Sequence, residues 1–253
     1  MAAHALELAT INHVGLVRTD NQDCVGSDAE RGLLVLADGM GGHRGGEVAS
    51  RLAVDTVLAK LVPAQQEARA DHMASLLRIG RAVEAANQSL LDTCEQTPAL
   101  HGMGTTVVVA MFRDGHIYHA HLGDSRLYRV RYGRMRRLTR DHSLIQRVID
   151  DGVFLNRAAA REAGIRDNVL TRSLGMPLEA EVDVGHALVE HGDTYLLCSD
   201  GLHGLVSDQE IARLLRDPEG DLEQQAQALL DAALAAGGRD NISILLARLR
   251  DQI

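Results

Sequence analysis

The sequence predicts an α+β fold in which antiparallel β-sheets are covered by α-helices on their outer faces. Apolar runs of strand length come in groups, and pairs of amphipathic helical segments separate these groups. Most neighbouring strands are joined by only a few residues, which is enough for an antiparallel hairpin but too short for a parallel crossover. The 253 residues suit one large domain with an inserted lobe, so we expect a single domain over residues 1–253.

The first half of the chain predicts strands before and after two helices. Apolar residues recur on one broad face of residues 45–61 and again of residues 72–94, as in amphipathic helices. Asp114-Gly115 is a typical hairpin turn, and it joins a β-branched strand to its return strand. The strands expected in this half cover residues 13–17, 33–37, 105–112 and 116–122.

The second half predicts a further hairpin, a polar insertion and a final group of strands and helices. The hairpin turns at Tyr132-Gly133, between strands at residues 127–130 and 135–138. Residues 142–168 are polar and rich in Arg, Asp and Glu, which favours an inserted surface flap. The remaining elements are strands at residues 182–188, 194–198 and 242–249 and helices at residues 208–216 and 221–236.

Composition and charge exclude several classes of function. Aromatic residues make up 2% of the chain and the formal net charge is -9, so stacking on bases and binding to nucleic-acid phosphates are both disfavoured. The apolar runs are too short to span a bilayer, and residues 1–10 lack the features of a signal peptide. Cys24, Cys94 and Cys198 form no CxxC pair, which favours a reducing, cytoplasmic compartment. We therefore expect no nucleic-acid or membrane partner.

Four aspartates at the ends of apolar strands form the main candidate site. They are Asp38, Asp124, Asp200 and Asp240, and each lies beside a glycine or in a glycine-rich turn. Burying several carboxylates together is costly unless a cation neutralises them. Oxygen ligands select hard ions such as Mg²⁺, Mn²⁺ or Ca²⁺. Taken singly, each aspartate is also explained as a turn or cap residue, so the residues alone leave both interpretations open.

Other residues have weaker signals. Arg18 offers a planar fork for bidentate phosphate binding, although a surface ion pair is the more common role of a single arginine. The glycine-rich turn at residues 40–46 lacks the spacings of a P-loop or a dinucleotide site. His119 and His121 share one strand face and have zinc-ligand chemistry, but a partly buried structural pair is the simpler interpretation. The sequence contains no cysteine-nucleophile loop and no GxSxG elbow.

Eight short motifs follow one another in order along almost the whole chain. Four of them are Ala37-Asp38-Gly39-Met40-Gly41-Gly42, Gly123-Asp124-Ser125-Arg126, Ser199-Asp200-Gly201-Leu202 and Arg239-Asp240-Asn241-Ile242-Ser243. The others lie at residues 15–23, 102–106, 138–143 and 170–175. Together these motifs resemble the PPM family of metal-dependent protein phosphatases, the PP2C-like enzymes, in their compact bacterial form. The resemblance implies two packed antiparallel sheets flanked by pairs of helices, an α-β-β-α sandwich, with residues 142–168 as a flap near the substrate.

The resemblance also implies a set of metal ligands. Asp38 would bridge two ions, with the carbonyl of Gly39 completing one side. Asp200 and Asp240 would hold the first ion, and Asp124 together with Asp200 would serve a third, weaker ion. The expected cofactors are therefore two Mg²⁺ or Mn²⁺ ions, with a third ion at Asp124.

The residues around the ions receive roles by the same resemblance. Arg18 would bind the substrate phosphate, and Gln22 and Asp23 would contact the water around the ions. Gln22 stands where many members have Glu, and because its neutral amide can still hydrogen-bond a water, we expect weakened or retuned metal binding and not its loss. Gly204 stands where some members carry Asp, which weakens the ligation of the third ion. His43 is a candidate general acid for the leaving serine or threonine oxygen, or else a packing residue of the glycine-rich loop.

The activity implied by the resemblance is hydrolysis of phosphoserine and phosphothreonine in proteins by a hydroxide shared between two metal ions. The expected partner is a phosphorylated protein, itself the product of a serine/threonine kinase, and the expected state is a monomer. Two alternatives stay open at this point. One is a catalytically idle phosphatase-like domain that binds phosphoproteins, and the other is a phosphatase of small phosphorylated metabolites.

Overall fold

The structure, a computed structural model, describes residues 5–41, 45–62, 71–176 and 180–250. Its strands are β1 (Ala5–His13), β2 (Asp23–Asp28), β3 (Leu33–Met40), β4 (Gly104–Thr105), β5 (Val107–Arg113), β6 (His116–Leu122), β7 (Arg126–Arg131), β8 (Arg134–Arg137), β9 (Asp183–Leu188), β10 (Thr194–Cys198) and β11 (Ile242–Arg250). Its α-helices are α1 (Gly45–Leu61), α2 (His72–Gln96), α3 (Leu144–Asp150), α4 (Arg157–Glu162), α5 (Asp200–His203), α6 (Asp208–Leu214) and α7 (Leu222–Ala235). None of these helices combines the length and the apolar character that a membrane crossing requires.

The strands form two antiparallel sheets. The first sheet has the strand order β1-β11-β10-β7-β8, and the second has the order β2-β3-β5-β6-β9, with β4 paired to β3. Each of these pairings is antiparallel. Both predicted hairpin turns are present, because Asp114 and Tyr132 adopt positive φ angles of 49° and 50° ahead of a glycine, as a two-residue turn requires.

Apolar residues at alternating strand positions bury both faces of both sheets. On β3, Leu34 and Leu36 join residues of the first sheet such as Leu197 in a core between the sheets. The intervening Leu33 and Val35 belong to a second core, under α1 and α2. A third core lies between the first sheet and helices α5, α6 and α7. The order of layers is therefore helices, sheet, sheet, helices, which confirms the predicted fold class.

The strand predicted at residues 13–17 is wrong. The structure places β1 earlier, ending at His13, where it pairs with β11 along its whole length. A turn follows, because Gly15 has a φ of 84° and lies so close to the Asp240 carbonyl that a side chain would collide there. Strand β2 is not predicted from the sequence, because it is a short edge strand of mixed polarity with no apolar run.

The flap predicted at residues 142–168 contains the two short helices α3 and α4. Its ends are tied together at the base. The N–H of Leu144 donates to the Val169 carbonyl at 2.7 Å, and the N–H of Thr171 donates to the His142 carbonyl at 2.9 Å. The two ends of this segment are therefore held together by backbone hydrogen bonds.

The carboxylate of Asp141 anchors the flap to the first sheet. Arg126 in β7 donates two hydrogen bonds to it, at 2.9 and 2.7 Å, and both side chains are buried. Arg137 in β8 and Arg157 in α4 each donate one more at 3.1 Å. Burial acts in the opposite direction, yet the hydrogen bonds and charge of Arg126 lower the pKa of Asp141 to about 2. Asp141 therefore stays ionised and holds β7, β8 and the flap together.

Replacing Asp141 by Asn tests this anchor. The variant keeps the side-chain shape but removes the two short ion-pair hydrogen bonds of the buried Arg126 and leaves it, among the described carboxylates, only the longer 3.5 Å contact with Asp208, so the free energy of unfolding should fall by about 3 kcal/mol. Urea denaturation followed by circular dichroism measures this quantity. As a control, Glu210→Gln breaks an exposed pair with Arg213 on α6 and should change the free energy of unfolding little. An equally small change in both variants would contradict the anchoring role.

Candidate metal centre

The structure brings the four predicted aspartates to one end of the sandwich. Asp38 lies near the end of β3, and Asp124 lies two residues beyond β6. Asp200 is the first residue of α5, which follows β10, and Asp240 lies two residues before β11. Because β10 and β11 are antiparallel neighbours, the end of one strand and the start of the other lie side by side. The charges of Asp124, Asp200 and Asp240 all act on the carboxylate of Asp38, so carboxylates from both sheets converge.

Thr106 connects the strand of Asp38 to the loop that carries Asp124. The Thr106 hydroxyl accepts a hydrogen bond from the backbone N–H of Asp38 at 3.0 Å and lies 2.7 Å from the hydroxyl of Ser125. The backbone N–H of Thr106 donates to the Asp38 carbonyl at 2.9 Å. Thr106 and Ser125 are both buried. These contacts fix two of the predicted ligands relative to each other through one threonine.

A fifth carboxylate, that of Asp23, lies inside this group. In the register of β2 and β3, Asp23 is directly opposite Asp38. The residue is 7% exposed, yet neither carboxylate oxygen has a hydrogen-bonding partner among the described residues. Burial raises the pKa of Asp23 to about 6, an effect that the nearby hydroxyls of Ser199 and Ser243 only partly offset. A cation or an ordered water close by would stabilise the ionised form of this buried carboxylate.

The carboxylates raise one another's pKa values. The pKa of Asp38 is raised well above its ordinary value, first by burial and then by the charges of Asp23, Asp200 and Asp124. Burial, followed by repulsion from Asp124 and Asp240, raises the pKa of Asp200 to about 7. Burial above all raises the pKa of Asp124 to about 6. Each raised pKa reflects an unfavourable free energy of ionisation, so the group needs compensating positive charge to be fully ionised at neutral pH.

The donor set fits hard divalent cations. All of the converging side chains offer carboxylate oxygens, the ligands that Mg²⁺ and Mn²⁺ prefer, and the oxygens of Asp23 are unpartnered among the described residues. Glycine is needed at position 39, because a side chain there would collide with the carbonyls of Gly46 and Gln22. The predicted ligands remain Asp38, the Gly39 carbonyl, Asp124, Asp200 and Asp240.

Arg18 lies at the mouth of the acidic group. It follows the turn after β1 instead of the predicted strand, and its side chain is 54% exposed. Its Nη2 donates to Oδ2 of Asp240 at 2.8 Å. This hydrogen bond and the charge of Asp240 raise the pKa of Arg18. The guanidinium is therefore a permanent positive charge beside a predicted metal ligand and open to solvent.

Gln22, Gly204 and His43 are the remaining residues to which the sequence analysis gave a role. The side chain of Gln22 packs against α1, where a Cβ on Gly46 would come within 2.7 Å of Gln22 Oε1. Gly204 donates its N–H to the Asp200 carbonyl at 2.7 Å and supplies no carboxylate. His43 lies outside the described residues, so its role as a general acid stays a prediction.

Asn241 organises the loop of Arg18, a role that the sequence motifs alone do not reveal. Its Nδ2 donates to the carbonyls of Val14 and Asp20, both at 3.0 Å, and its Oδ1 accepts from the N–H of Gln22 at 2.8 Å. The residue is buried and lies directly before β11. The one available signal is its place in a motif, directly after a predicted ligand. Asn241 thus fixes the backbone on both sides of Arg18.

Fold and site together define a class of protein: a helix-flanked sandwich of two antiparallel sheets, with an acidic crevice at one end and an arginine at its mouth. The family model for protein phosphatase 2C matches residues 11–236, and the chain belongs to this family.

Relatives of the chain span different lengths. It is 37% identical over 246 residues to the serine/threonine protein phosphatase PstP of Mycobacterium tuberculosis, a match that covers 97% of this chain but only 45% of PstP. It is 35% identical over 254 residues to the protein phosphatase PhpP of Streptococcus pneumoniae, covering 98% of this chain and 99% of PhpP. A crystal structure of a PstP catalytic domain in complex with two manganese ions is 37% identical, with a TM-score of 0.83, covering 98% of this chain and 100% of that one.

The raised pKa values predict how the metal-free protein responds to pH. The pKa of Asp200 is about 7 in the folded protein, above its ordinary value, so the folded state keeps a proton that the unfolded chain has lost. Its contribution to stability is therefore complete below about pH 4 and is lost as the pH rises toward about 8. Asparagine does not titrate, so the Asp200→Asn variant should not lose stability in this way as the pH rises.

The measurement is the free energy of unfolding in EDTA at several pH values, for the wild type and for Asp200→Asn. The stability of the variant relative to the wild type should increase by more than about 1 kcal/mol between about pH 4 and about pH 8. Buried histidines such as His121, whose pKa is lowered by burial, change stability with pH in the opposite direction. Both proteins contain them, so subtracting the free energy of unfolding of the wild type from that of the variant removes most of their contribution. A difference that stays constant or decreases with pH would contradict carboxylate repulsion.

Proposed function

We propose that this protein hydrolyses phosphoserine and phosphothreonine in other proteins, with Mg²⁺ or Mn²⁺ as its cofactor. The observation that carries the proposal is the convergence of five aspartates beside a half-exposed arginine. Membership of the protein phosphatase 2C family and relatives named as serine/threonine protein phosphatases support the activity. The two manganese ions in the PstP structure support the cofactor.

The proposed ion site uses the donors described above. Asp38 would bridge two ions, Asp200 and Asp240 would hold the first of them, and Asp124 would join Asp200 at a third. Bound there, the ions would supply a water acidic enough to attack phosphorus near neutral pH and would neutralise charge on the phosphate oxygens. Asp23, directly opposite Asp38, would accept hydrogen bonds from water around the ions.

The chain's own residues would position the phosphate. Arg18 would exchange its hydrogen bond to Asp240 for hydrogen bonds to phosphate oxygens, because a doubly charged phosphate competes well with a single exposed carboxylate. Asn241 would keep the Arg18 loop in place during this exchange, through its three hydrogen bonds to that loop. His43 is the candidate that would protonate the leaving serine or threonine oxygen.

A cavity beside the flap supports a protein as the substrate. It has a volume of about 850 Å³ and is lined by residues of the flap and of the segment after it, including Arg147 and Arg172. His142, also in its wall, accepts a hydrogen bond from the N–H of Gly123 at 3.2 Å, so the cavity adjoins the loop of Asp124. A cavity of this size next to the acidic crevice suits several residues of an extended phosphopeptide.

The alternatives can be separated by substrate. PstP and PhpP are both named as phosphatases, so the catalytically idle alternative receives no support from them. A phosphatase of small metabolites would turn over simple phosphate esters as well as peptides. We expect kcat/KM for a phosphoserine or phosphothreonine peptide to exceed that for small esters, since only the peptide fills the cavity beside the flap.

We also propose the setting in which the enzyme acts. Its substrates would be the products of a serine/threonine kinase, in a reducing, cytoplasmic compartment. The free thiols of Cys24, Cys94 and Cys198 support that compartment. A monomer is the proposed state, because one chain supplies all of the predicted ligands together with Arg18.

Replacing Asp38 by Asn tests the metal centre. The amide keeps the side-chain volume but removes the charge that would bridge two ions, so kcat for a phosphoserine peptide in Mn²⁺ should fall by about 100-fold or more. The fold should persist, since the substitution relieves repulsion from the neighbouring carboxylates. Asp92→Asn, at an exposed position of α2, is the matched control and should keep full activity. Turnover retained by Asp38→Asn would rule out the bridging role.

Replacing Arg18 by Ala tests phosphate binding. Arg18 would form its hydrogen bonds to the phosphate in the enzyme–substrate complex as well as in the transition state. Losing them should therefore raise KM by about 10- to 100-fold while kcat changes by less than about threefold. Arg18→Lys keeps the charge without the planar fork and should give an intermediate KM. Steady-state kinetics on a phosphothreonine peptide measure both constants. A fall in kcat with an unchanged KM would show that Arg18 acts elsewhere in the reaction.

A further inference from the structure

Three histidines meet at the opposite end of the second sheet from the aspartates. His72 is the first residue of α2, His116 is the first residue of β6 and His186 lies in β9. One ligand nitrogen from each imidazole lies within 4.8 Å of the other two. His116 and Leu122 are the two ends of the seven-residue strand β6, about 20 Å apart at the usual strand rise, and the loop of Asp124 follows Leu122. The group is therefore distinct from the proposed metal centre.

The packing of α2 on the second sheet brings these rings together. His72 stacks on His186 with ring centroids 4.7 Å apart and planes 14° from parallel, and it meets His116 edge-on at 4.5 Å. Tyr118 lies opposite His186 in the register of β6 and β9, and its hydroxyl is 2.8 Å from Nδ1 of His72. The start of α2 is thus fixed over the sheet by imidazoles and one phenol.

Existing hydrogen bonds leave ligand nitrogens available. Nδ1 of His116 lies 3.0 Å from the Asp114 carbonyl, so it carries the proton, and the lone pair is on Nε2. In the tautomer in which Nδ1 of His72 donates to the Tyr118 hydroxyl, 2.8 Å away, Nε2 keeps its lone pair and is the ligand atom. Histidines that bind metals commonly hold one ring nitrogen in this way, which fixes the ring and the tautomer. His72 and His186 are exposed, so an ion has a path to the group.

We propose that His72, His116 and His186 form a binding site for a zinc-type transition-metal ion. Imidazole nitrogens suit Zn²⁺, Ni²⁺, Cu²⁺ and Co²⁺, whereas Mg²⁺ is bound through oxygen ligands such as the aspartates offer. Three histidines leave a fourth position of a tetrahedral ion to water. The ion would tie the start of α2 to β6 and β9.

A small rearrangement completes the site. Nitrogens bound to one tetrahedral zinc lie about 3.4 Å apart, given Zn–N distances of about 2.0–2.1 Å. The ring of His186, which lies nearly parallel to that of His72, must therefore turn about χ2 until its nitrogen faces the ion, while His72 keeps its contact with Tyr118. This torsion has broad minima, and the side chain of His186 is exposed, so the rotation is easy.

Cobalt(II) titration of the full chain, free of any polyhistidine tag and in saturating Mg²⁺, tests the proposal. Co²⁺ held by imidazoles with four or five ligands absorbs strongly in the visible region, whereas Co²⁺ in a six-coordinate oxygen site absorbs weakly. The spectrum therefore separates the histidine group from the aspartates. We expect an intense band that saturates at one equivalent of Co²⁺ and disappears when Zn²⁺ displaces it.

Variants assign the band to the three histidines. The double variant His72→Asn with His186→Asn removes two ligands and should bind Co²⁺ roughly 100-fold or more weakly, and Zn²⁺ should no longer raise its Tm. His101→Asn, at an exposed position outside the group, should behave as the wild type. No intense band in the wild type, or the same band in the double variant, would overturn the proposal. Neither readout uses phosphatase activity, so the result is independent of the proposed function.

Discussion

Repulsion among carboxylates at one end of the sandwich is the constraint on which the rest of the structure depends. Burial and the charges of four other aspartates raise the pKa of Asp38 well above its ordinary value, and the pKa of Asp200 reaches about 7. Two sheets, with strands that end at the same place, are what force these groups together. Divalent cations are the natural counter-charge for such an arrangement, because oxygen ligands and high negative charge select them.

Neutral side chains make several of the hydrogen bonds that hold the backbone around this crevice. Thr106 fixes the strand of Asp38, and Asn241 fixes the loop of Arg18. The buried pair of Arg126 and Asp141 ties the flap to the first sheet nearby. Because neighbouring side chains make these structural hydrogen bonds, Asp23 is not needed for them. Its buried carboxylate oxygens have no hydrogen-bonding partner among the described residues. The crevice is thus preorganised for ligand binding.

The sequence predicts those parts of the structure that have local causes. Helix α1 has the predicted bounds because one apolar face of helical period specifies it, and both hairpins follow from their turn residues. Strand β1 is misplaced because the positive φ of Gly15, and its contact with Asp240, depend on a segment far away in the chain. For the same reason the central position of Asp23 is a finding of the structure: only the pairing of β2 with β3 sets it opposite Asp38. The four other aspartates were identifiable because each ends or precedes an apolar strand.

A crystal structure of the chain grown with excess Mn²⁺, with data collected at the manganese absorption edge, tests the central claim most directly. We expect at least two anomalous peaks in the crevice, one on each side of the Asp38 carboxylate, with Asp200 and Asp240 as ligands of one of them. An aspartate crevice without anomalous peaks, in crystals that contain excess manganese, would contradict the claim that cations offset the repulsion of these carboxylates.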